Sequence, residues 1–248
     1  MGYFTGTKPW IIAHRGLAIT AVENTLKAFQ DAIHAGATHL ETDVQASSDG
    51  VAVLCHDPDL MRLAGRSMPI AELTFDELRS IDLGNGARIT SLEEALGSLP
   101  HERFNIDIKD GRSAASVITA IRRTAAMNRV LVTSFSRRRR RLVADALDGV
   151  ATSPAASEVI RIIAAARLAR SKDLSRRCQG FEAIQIPERF GTFRLVTSTT
   201  VQAFHNAGLD VHVWTVDDLH DMKRLIDMGV DGIVTNRSDL LSRMIDGL

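Results

Sequence analysis

Eight short apolar runs, separated by stretches of helical period, constrain this chain more than any other feature of its sequence. The runs are WIIAH at 10–14, THLETDV at 38–44, VAVLC at 51–55, FNIDI at 104–108, VLVTSF at 130–135, EAIQI at 182–186, DVHVWTV at 210–216 and DGIVT at 231–235. Between them lie amphipathic patterns, among them 24–35, 113–127, 198–207 and 219–228. Strands alternating with helices build a parallel sheet covered by helices, and eight such strands predict a (β/α)8 TIM barrel. Glycines in HAGA, NAGLDV and DMGVDG fall where a helix C-cap precedes the next strand.

One join breaks the rhythm. QASSDG, between Val44 and Val51, is shorter than the dozen or so residues a parallel crossover needs. A hairpin turn at Ser48, Asp49 and Gly50 is expected instead, returning the chain to the barrel rim near His56. Residues 57–100 contain turn-rich segments and two short helical patterns, at 74–80 and 91–99, and read as an insertion over one end of the barrel. The tract SRRRRRL at 136–142 follows the fifth run and is expected to be a solvated helix face.

At 248 residues, 45% of them hydrophobic, the chain suits one domain spanning 1–248. Thirty Lys plus Arg balance thirty Asp plus Glu, so net charge offers no argument for nucleic acid, and any charge that matters must be local. No apolar stretch approaches the ~18 residues of a membrane span, so no stable membrane insertion is expected. Cys55 and Cys178 match no metal or disulfide spacing, and the N-terminus lacks a secretion pattern, which together predict a cytoplasmic location.

In such a barrel the working groups stand at the carboxyl ends of the strands. The runs there offer His14 and Arg15, Glu41 and Asp43, His56 and Asp57, and Asp107 and Lys109. Residues two apart on a strand share a face, so Glu41 and Asp43 project together, as do Asp107 and Lys109. Three carboxylates in one mouth repel, which raises their pKa values or draws in a cation. A hard divalent ion such as Mg2+ or Ca2+ suits oxygen ligands; simple pairing with Arg15 or Lys109 is the alternative. His14 and His56 can carry a proton near neutral pH, and Arg15 with Lys109 suits a phosphate. The remaining histidines have no such company. Neither a phosphate-cradling G-x-x-x-x-G-K nor a G-x-S-x-G nucleophile elbow occurs.

The ordered segments AHRG, ENT, LETDV, DGVAVLCHDPDL, NIDIK, VHVWTV and GVDGIVTN, from about residue 11 to residue 240, resemble the glycerophosphodiester phosphodiesterase family. The resemblance implies a barrel with a small insertion after the third strand. It implies hydrolysis of small-molecule glycerophosphodiesters to glycerol 3-phosphate and an alcohol, with a divalent metal ion as cofactor. It maps metal ligands onto Glu41, Asp43 and Asp107, catalytic histidines onto His14 and His56, phosphate contacts onto Arg15 and Lys109, and a pocket aromatic onto Trp214. Asn24 is read either as a further phosphate contact or as a helix cap. Asp107 departs from the family's usual Glu, and WTVD and VTNRS from WTVN and VTDRP. A catalytically weak phosphate-ester-binding barrel and a phosphodiesterase acting on lysophospholipids are the rival expectations.

Overall fold

The structure is a computed structural model and describes residues 2–168 and 170–247. Its first half comprises β1 (Trp10–Ala13), α1 (Leu26–His34), β2 (His39–Ala46), β3 (Ala52–Leu54), α2 (Met61–Ala64), α3 (Phe75–Ser80), α4 (Leu92–Ser98), β4 (Phe104–Ile108), α5 (Ala114–Arg123) and β5 (Val130–Thr133). There follow α6 (Arg137–Ala144), β6 (Ala151–Thr152), α7 (Ala156–Arg167), α8 (Ser171–Cys178), β7 (Ala183–Pro187), and the small strands β8 (Arg189–Phe190) and β9 (Phe193–Arg194). The chain ends with α9 (Ser198–Asn206), β10 (Asp210–Trp214), α10 (Leu219–Asp227), β11 (Gly232–Thr235) and α11 (Ser238–Asp246).

Eight parallel strands form a nearly closed barrel in the order β6-β5-β4-β2-β1-β11-β10-β7. At the remaining seam, Glu182 N–H donates to the Thr152 carbonyl (3.2 Å) and Thr152 N–H to the Glu182 carboxylate (2.8 Å). The predicted number of staves is right, but its membership needs correction. VAVLC is not a stave: β3 runs antiparallel to β2 with Val44 opposite Leu54, around the expected turn, where Gly50 takes φ +82°. The missing stave is β6, two residues long, pairing Leu131 with Ala151 and Val132 with Thr152. A strand this short has no run of alternating side chains for a sequence pattern to register.

Apolar side chains on the outer barrel wall pack under the helices. Phe29 of α1 meets Phe104 of β4 edge to face at 5.6 Å, within a cluster running to Val117 and Ile121 of α5. The excursion between β3 and β4 has its own core of Leu60, Ile70, Leu78, Ile81, Leu83 and Ile89, seated on Val53 and Cys55 of the β3 arm. Side-chain caps start the helices: Thr25 for α1, Ser91 for α4, and Thr74 with Glu77 in a capping box for α3. Each cap is worth about 1 kcal/mol. Gly36, Gly208 and Gly229 carry the left-handed residues that end α1, α9 and α10, as the sequence predicts.

The arginine tract corrects a second expectation. Arg138 is exposed, but Arg140 is buried against Phe181 and Glu158, and Arg139 turns inward to donate to the Lys109 carbonyl and Ser134 Oγ. An α-helix turns 100° per residue, so a five-residue cationic run must cover several faces, including one toward its neighbours.

Tyr3, Trp10, His39 and His212 stack as a floor inside the opposite end of the barrel, with Tyr3 and His39 ring centroids 4.6 Å apart. His39 Nε2–H donates to the Tyr3 carbonyl (2.9 Å), and Gln185 donates to His212 Nδ1 (3.2 Å). Burial lowers the histidine pKa values from 6.5 to about 3 for His39 and about 4 for His212. Below 6.5 the unfolded chain therefore binds protons that the folded barrel refuses, so stability is present above that pH and is lost as pH falls toward 4. The melting temperature is expected to drop between about pH 7 and about pH 5, and the drop should be shallower in a His39→Gln/His212→Gln variant. An unchanged slope would show that other groups govern acid unfolding.

Candidate active site at the carboxyl ends of the strands

β1 delivers His14 and Arg15 into a tight turn against α1. Arg15 and Gly16 take φ +56° and +80°, and a Cβ on Gly16 would lie 2.6 Å from the Ala28 carbonyl carbon. Glycine is therefore required where the turn touches α1. The conformation points Arg15 N–H at Glu41 Oε2 (3.0 Å) and places the guanidinium 3.0 Å from Glu23 Oε1 and 3.0 Å from Asp43 Oδ2.

Glu41, Asp43 and Asp107 are all buried on the same mouth, with Asp43 and Asp107 directly opposite across β2 and β4. Lys109 Nζ bridges two of them, 3.0 Å from Asp43 Oδ1 and 2.6 Å from Asp107 Oδ2. Asn24, at φ +57°, donates to Asp43 Oδ2 (3.2 Å) and accepts from Thr42 Oγ1 (2.7 Å). The capping reading of Asn24 is thereby corrected: the cap is Thr25, which leaves the Asn24 amide to hold the carboxylate.

The three acids respond differently to the same burial. Desolvation pushes Glu41 well above the ordinary carboxylate range, with Asp43 and Asp107 adding to the rise. Burial also opposes ionisation of Asp43, but Lys109 and Arg15 outweigh it and hold that carboxyl below its usual value. Asp107 rises, because burial exceeds the pull of Lys109. Its Oδ1 is buried without a hydrogen-bond partner.

Among the described residues no three His, Cys, Asp or Glu side chains are gathered as a metal ion would hold them, and Lys109 fills the space between two of the acids. The donor chemistry nevertheless fits a hard divalent ion: three carboxylates, one with an orphaned buried oxygen and one destabilised by its neighbours.

Both histidines reach this mouth, each with its Nδ1–H fixed. His14 Nδ1 donates to Asn236 Oδ1 (2.8 Å), and Asn236 is locked by donating its amide to Asp217 Oδ2 (2.8 Å). That leaves His14 Nε2 unprotonated in the neutral ring, 4.0 Å from Glu41 Oε2. Burial lowers the His14 pKa, with the Asn236 bond opposing and Arg15 adding to the fall. His56 arrives on the returning β3 arm rather than on a stave, placed by Cys55 N–H to the Asp43 carbonyl (3.0 Å) and Gln45 to its own carbonyl (3.0 Å). Its Nδ1–H donates to Asp57 (2.7 Å), Asp57 takes Arg62 Nε (2.6 Å), and Arg62 forks onto Glu23 (2.9 and 2.6 Å). Glu23 closes the chain on Arg15.

Arg62 is the functional neighbour that the sequence pattern does not single out, whereas Asn236 and Asp217 stand there only as the departures VTNRS and WTVD, with no role attached, and Asp57 as the neighbour of His56. Trp214, the last residue of β10, meets the half-exposed Phe135 edge to face at 5.7 Å, and Lys109 Nζ lies 5.5 Å from the Phe135 ring. The structure thus brings His14, Arg15, Asn24, Glu41, Asp43, His56, Asp107, Lys109 and Trp214 to one end of the barrel.

Residues 14–240 match the model of the glycerophosphoryl diester phosphodiesterase family. A Mycobacterium tuberculosis protein named "Probable glycerophosphodiester phosphodiesterase 2" is 40% identical over 232 residues, covering 93% of this chain and 88% of that protein. The crystal structure of a Thermotoga maritima glycerophosphodiester phosphodiesterase superposes with a TM-score of 0.76 at 24% identity, covering 97% of this chain and 100% of that one. An Oleispira antarctica phosphodiesterase, solved in complex with the product sn-glycerol-3-phosphate, gives 0.77 at 23% identity, covering 96% and 97%. With its motifs in order along nearly the whole chain and the barrel to carry them, this protein belongs to the glycerophosphoryl diester phosphodiesterase family.

Proposed function

We propose that this protein hydrolyses glycerophosphodiesters to glycerol 3-phosphate and an alcohol, at the mouth that holds His14 and His56. The observation that carries the reading is a pair of imidazoles, each with Nδ1–H committed to a partner and Nε2 left for chemistry, beside three buried carboxylates and two cations. A proton acceptor, a proton donor and a charged cradle are what phosphoryl transfer from an alcohol requires.

His14 suits the base: its depressed pKa keeps Nε2 unprotonated at neutral pH. It takes the proton of the substrate's glycerol 2-hydroxyl, whose oxygen bonds to phosphorus. His56, oriented by Asp57, gives a proton to the departing alcohol oxygen as its bond to phosphorus breaks. Water then opens the resulting cyclic phosphate, with the proton transfers reversed. The attacking hydroxyl belongs to the substrate itself, so most of its orientational cost is already met. Arg15 and Lys109 take phosphate oxygens, Asn24 holds Asp43 in place, and Trp214 lines the pocket.

Glu41, Asp43 and Asp107 would hold a divalent ion, Mg2+ or Ca2+, whose contribution is Lewis-acid stabilisation of charge on the phosphoryl oxygens. The shorter Asp107 reaches less far than Glu would, and its unpartnered Oδ1 is the atom left for this task. The same reading treats 1–248 as one domain acting on a small soluble diester in the cytoplasm, where the buried free thiols of Cys55 and Cys178 stay reduced.

His14→Ala and His56→Ala should each lower kcat for glycerophosphocholine by roughly 10²–10⁴, measured by enzymatic detection of glycerol 3-phosphate, while the circular dichroism spectrum stays native. Turnover undiminished in both would sink the proposal. Because the His14 pKa lies below 6.5, the acid limb of kcat/KM should also bend below that pH. A bend above 6.5 would assign the base to another group.

A further inference from the structure

The corner of the barrel just past β7 differs from the rest of the surface. β8 and β9 pair only with each other, Arg189 opposite Arg194 and Phe190 opposite Phe193, around a turn in which Gly191 takes φ +56°. Phe190 and Phe193 are 75% and 65% exposed, more than any other large aromatic among the described residues. Leu168, also exposed, follows Arg167, whose guanidinium donates to the Arg194 carbonyl. Two large apolar side chains, Phe190 and Phe193, therefore stand out side by side from this corner.

The charge around them is lopsided. Glu188 Oε1 lies 3.6 Å from Arg189 Nε and 3.5 Å from Arg194 Nε, and its Oε2 takes Arg224 at 2.7 Å. Arg224 also pairs with Asp221 at 2.6 Å. Four arginines, Arg167 included, are thus answered by two carboxylates, in a chain whose overall charge is zero. Positive charge concentrates where the aromatics are exposed.

We infer that this hairpin is a reversible docking element for an anionic phospholipid surface. Entering tip first, the two phenyl rings lead and the arginines follow one residue behind, about 3.4 Å further back. That places aromatic rings among the upper acyl chains and guanidiniums at the depth of the phosphates. The tip is small against the roughly 800 Å² per partner of a stable protein interface, which favours a lipid surface over a second polypeptide. Only Glu188 separates the hairpin from Pro187, which pairs in register with Trp214, so docking turns the mouth toward the surface. This is surface attachment and leaves the expectation of no membrane insertion intact; binding itself does not depend on the diesterase reading.

The test is co-sedimentation of the full chain with vesicles of phosphatidylcholine alone and of an equal mixture with phosphatidylglycerol. Wild-type protein should bind the mixed vesicles at least about tenfold more tightly, and binding should fall as NaCl rises from about 0.1 M to about 1 M, which cuts the screening length from about 10 Å to about 3 Å. Phe190→Ser/Phe193→Ser and Arg189→Gln/Arg194→Gln should each weaken binding about tenfold or more, with the melting temperature and the turnover of glycerophosphocholine unchanged. Equal binding to both vesicle types, or undiminished binding by the Phe190→Ser/Phe193→Ser variant, would overturn the inference. So would a concentration-dependent dimer in light scattering that the phenylalanine substitutions abolish, since the hairpin would then serve a second copy of the chain.

Discussion

Three carboxylates buried at one end of a barrel, with two cations set among them, are the arrangement on which the rest of this structure depends. Burying like charges costs free energy that only opposed charge and hydrogen bonds can offset. Among the described residues, Lys109 and Arg15 supply charge to Asp43, Lys109 is the cation paired with Asp107, and Glu41 has only the Arg15 N–H as hydrogen-bond donor. The unevenness is informative. A cluster built purely for stability would satisfy all three acids, whereas this one leaves Glu41 resisting ionisation and an Asp107 oxygen without a partner.

Much of the local backbone serves that arrangement. Of the four described residues other than glycine at positive φ, two, Arg15 and Asn24, lie at the site, and both use the conformation to reach Glu41 or Asp43. Such conformations cost about 1–3 kcal/mol each and persist when the surroundings hold them. The β2–β3 hairpin interrupts the barrel rhythm to bring His56 back beside the same acids, and the excursion core packed on β3 keeps that arm in place. Arg62, from the excursion, then ties Asp57 to Glu23 and so links the two histidine-bearing segments through ion pairs.

The barrel was legible because its rule is local: a strand buried on both faces is an apolar run, and a covering helix is an amphipathic one. The rule failed at Ala151–Thr152, where two residues suffice for a stave, and at Val51–Cys55, where an equally apolar run pairs antiparallel. That the candidate site residues share one end of the barrel was legible because strand ends converge by construction. The roles of their partners were not, since Asn236 reaches His14 from the far end of the chain, just past β11, and Arg62 reaches Asp57 from the short helix α2 in the excursion. The inward turn of Arg139 and Arg140 is hidden for a related reason: charge shows in the sequence, but the direction in which these side chains point is decided by the neighbours of α6.

The proposal that Glu41, Asp43 and Asp107 hold a divalent ion is open to test through Glu41→Gln. Glutamine keeps an oxygen for the Arg15 N–H and removes the charge that burial and two neighbouring acids oppose. Melting temperatures of the wild type and the variant should be measured without divalent ions and again with Mg2+ or Ca2+. The variant should be more stable than wild type in the absence of ions, and an ion-dependent rise in melting temperature should appear in the wild type and be lost in the variant. An unaltered ion response in Glu41→Gln, or a variant that is simply destabilised, would contradict it.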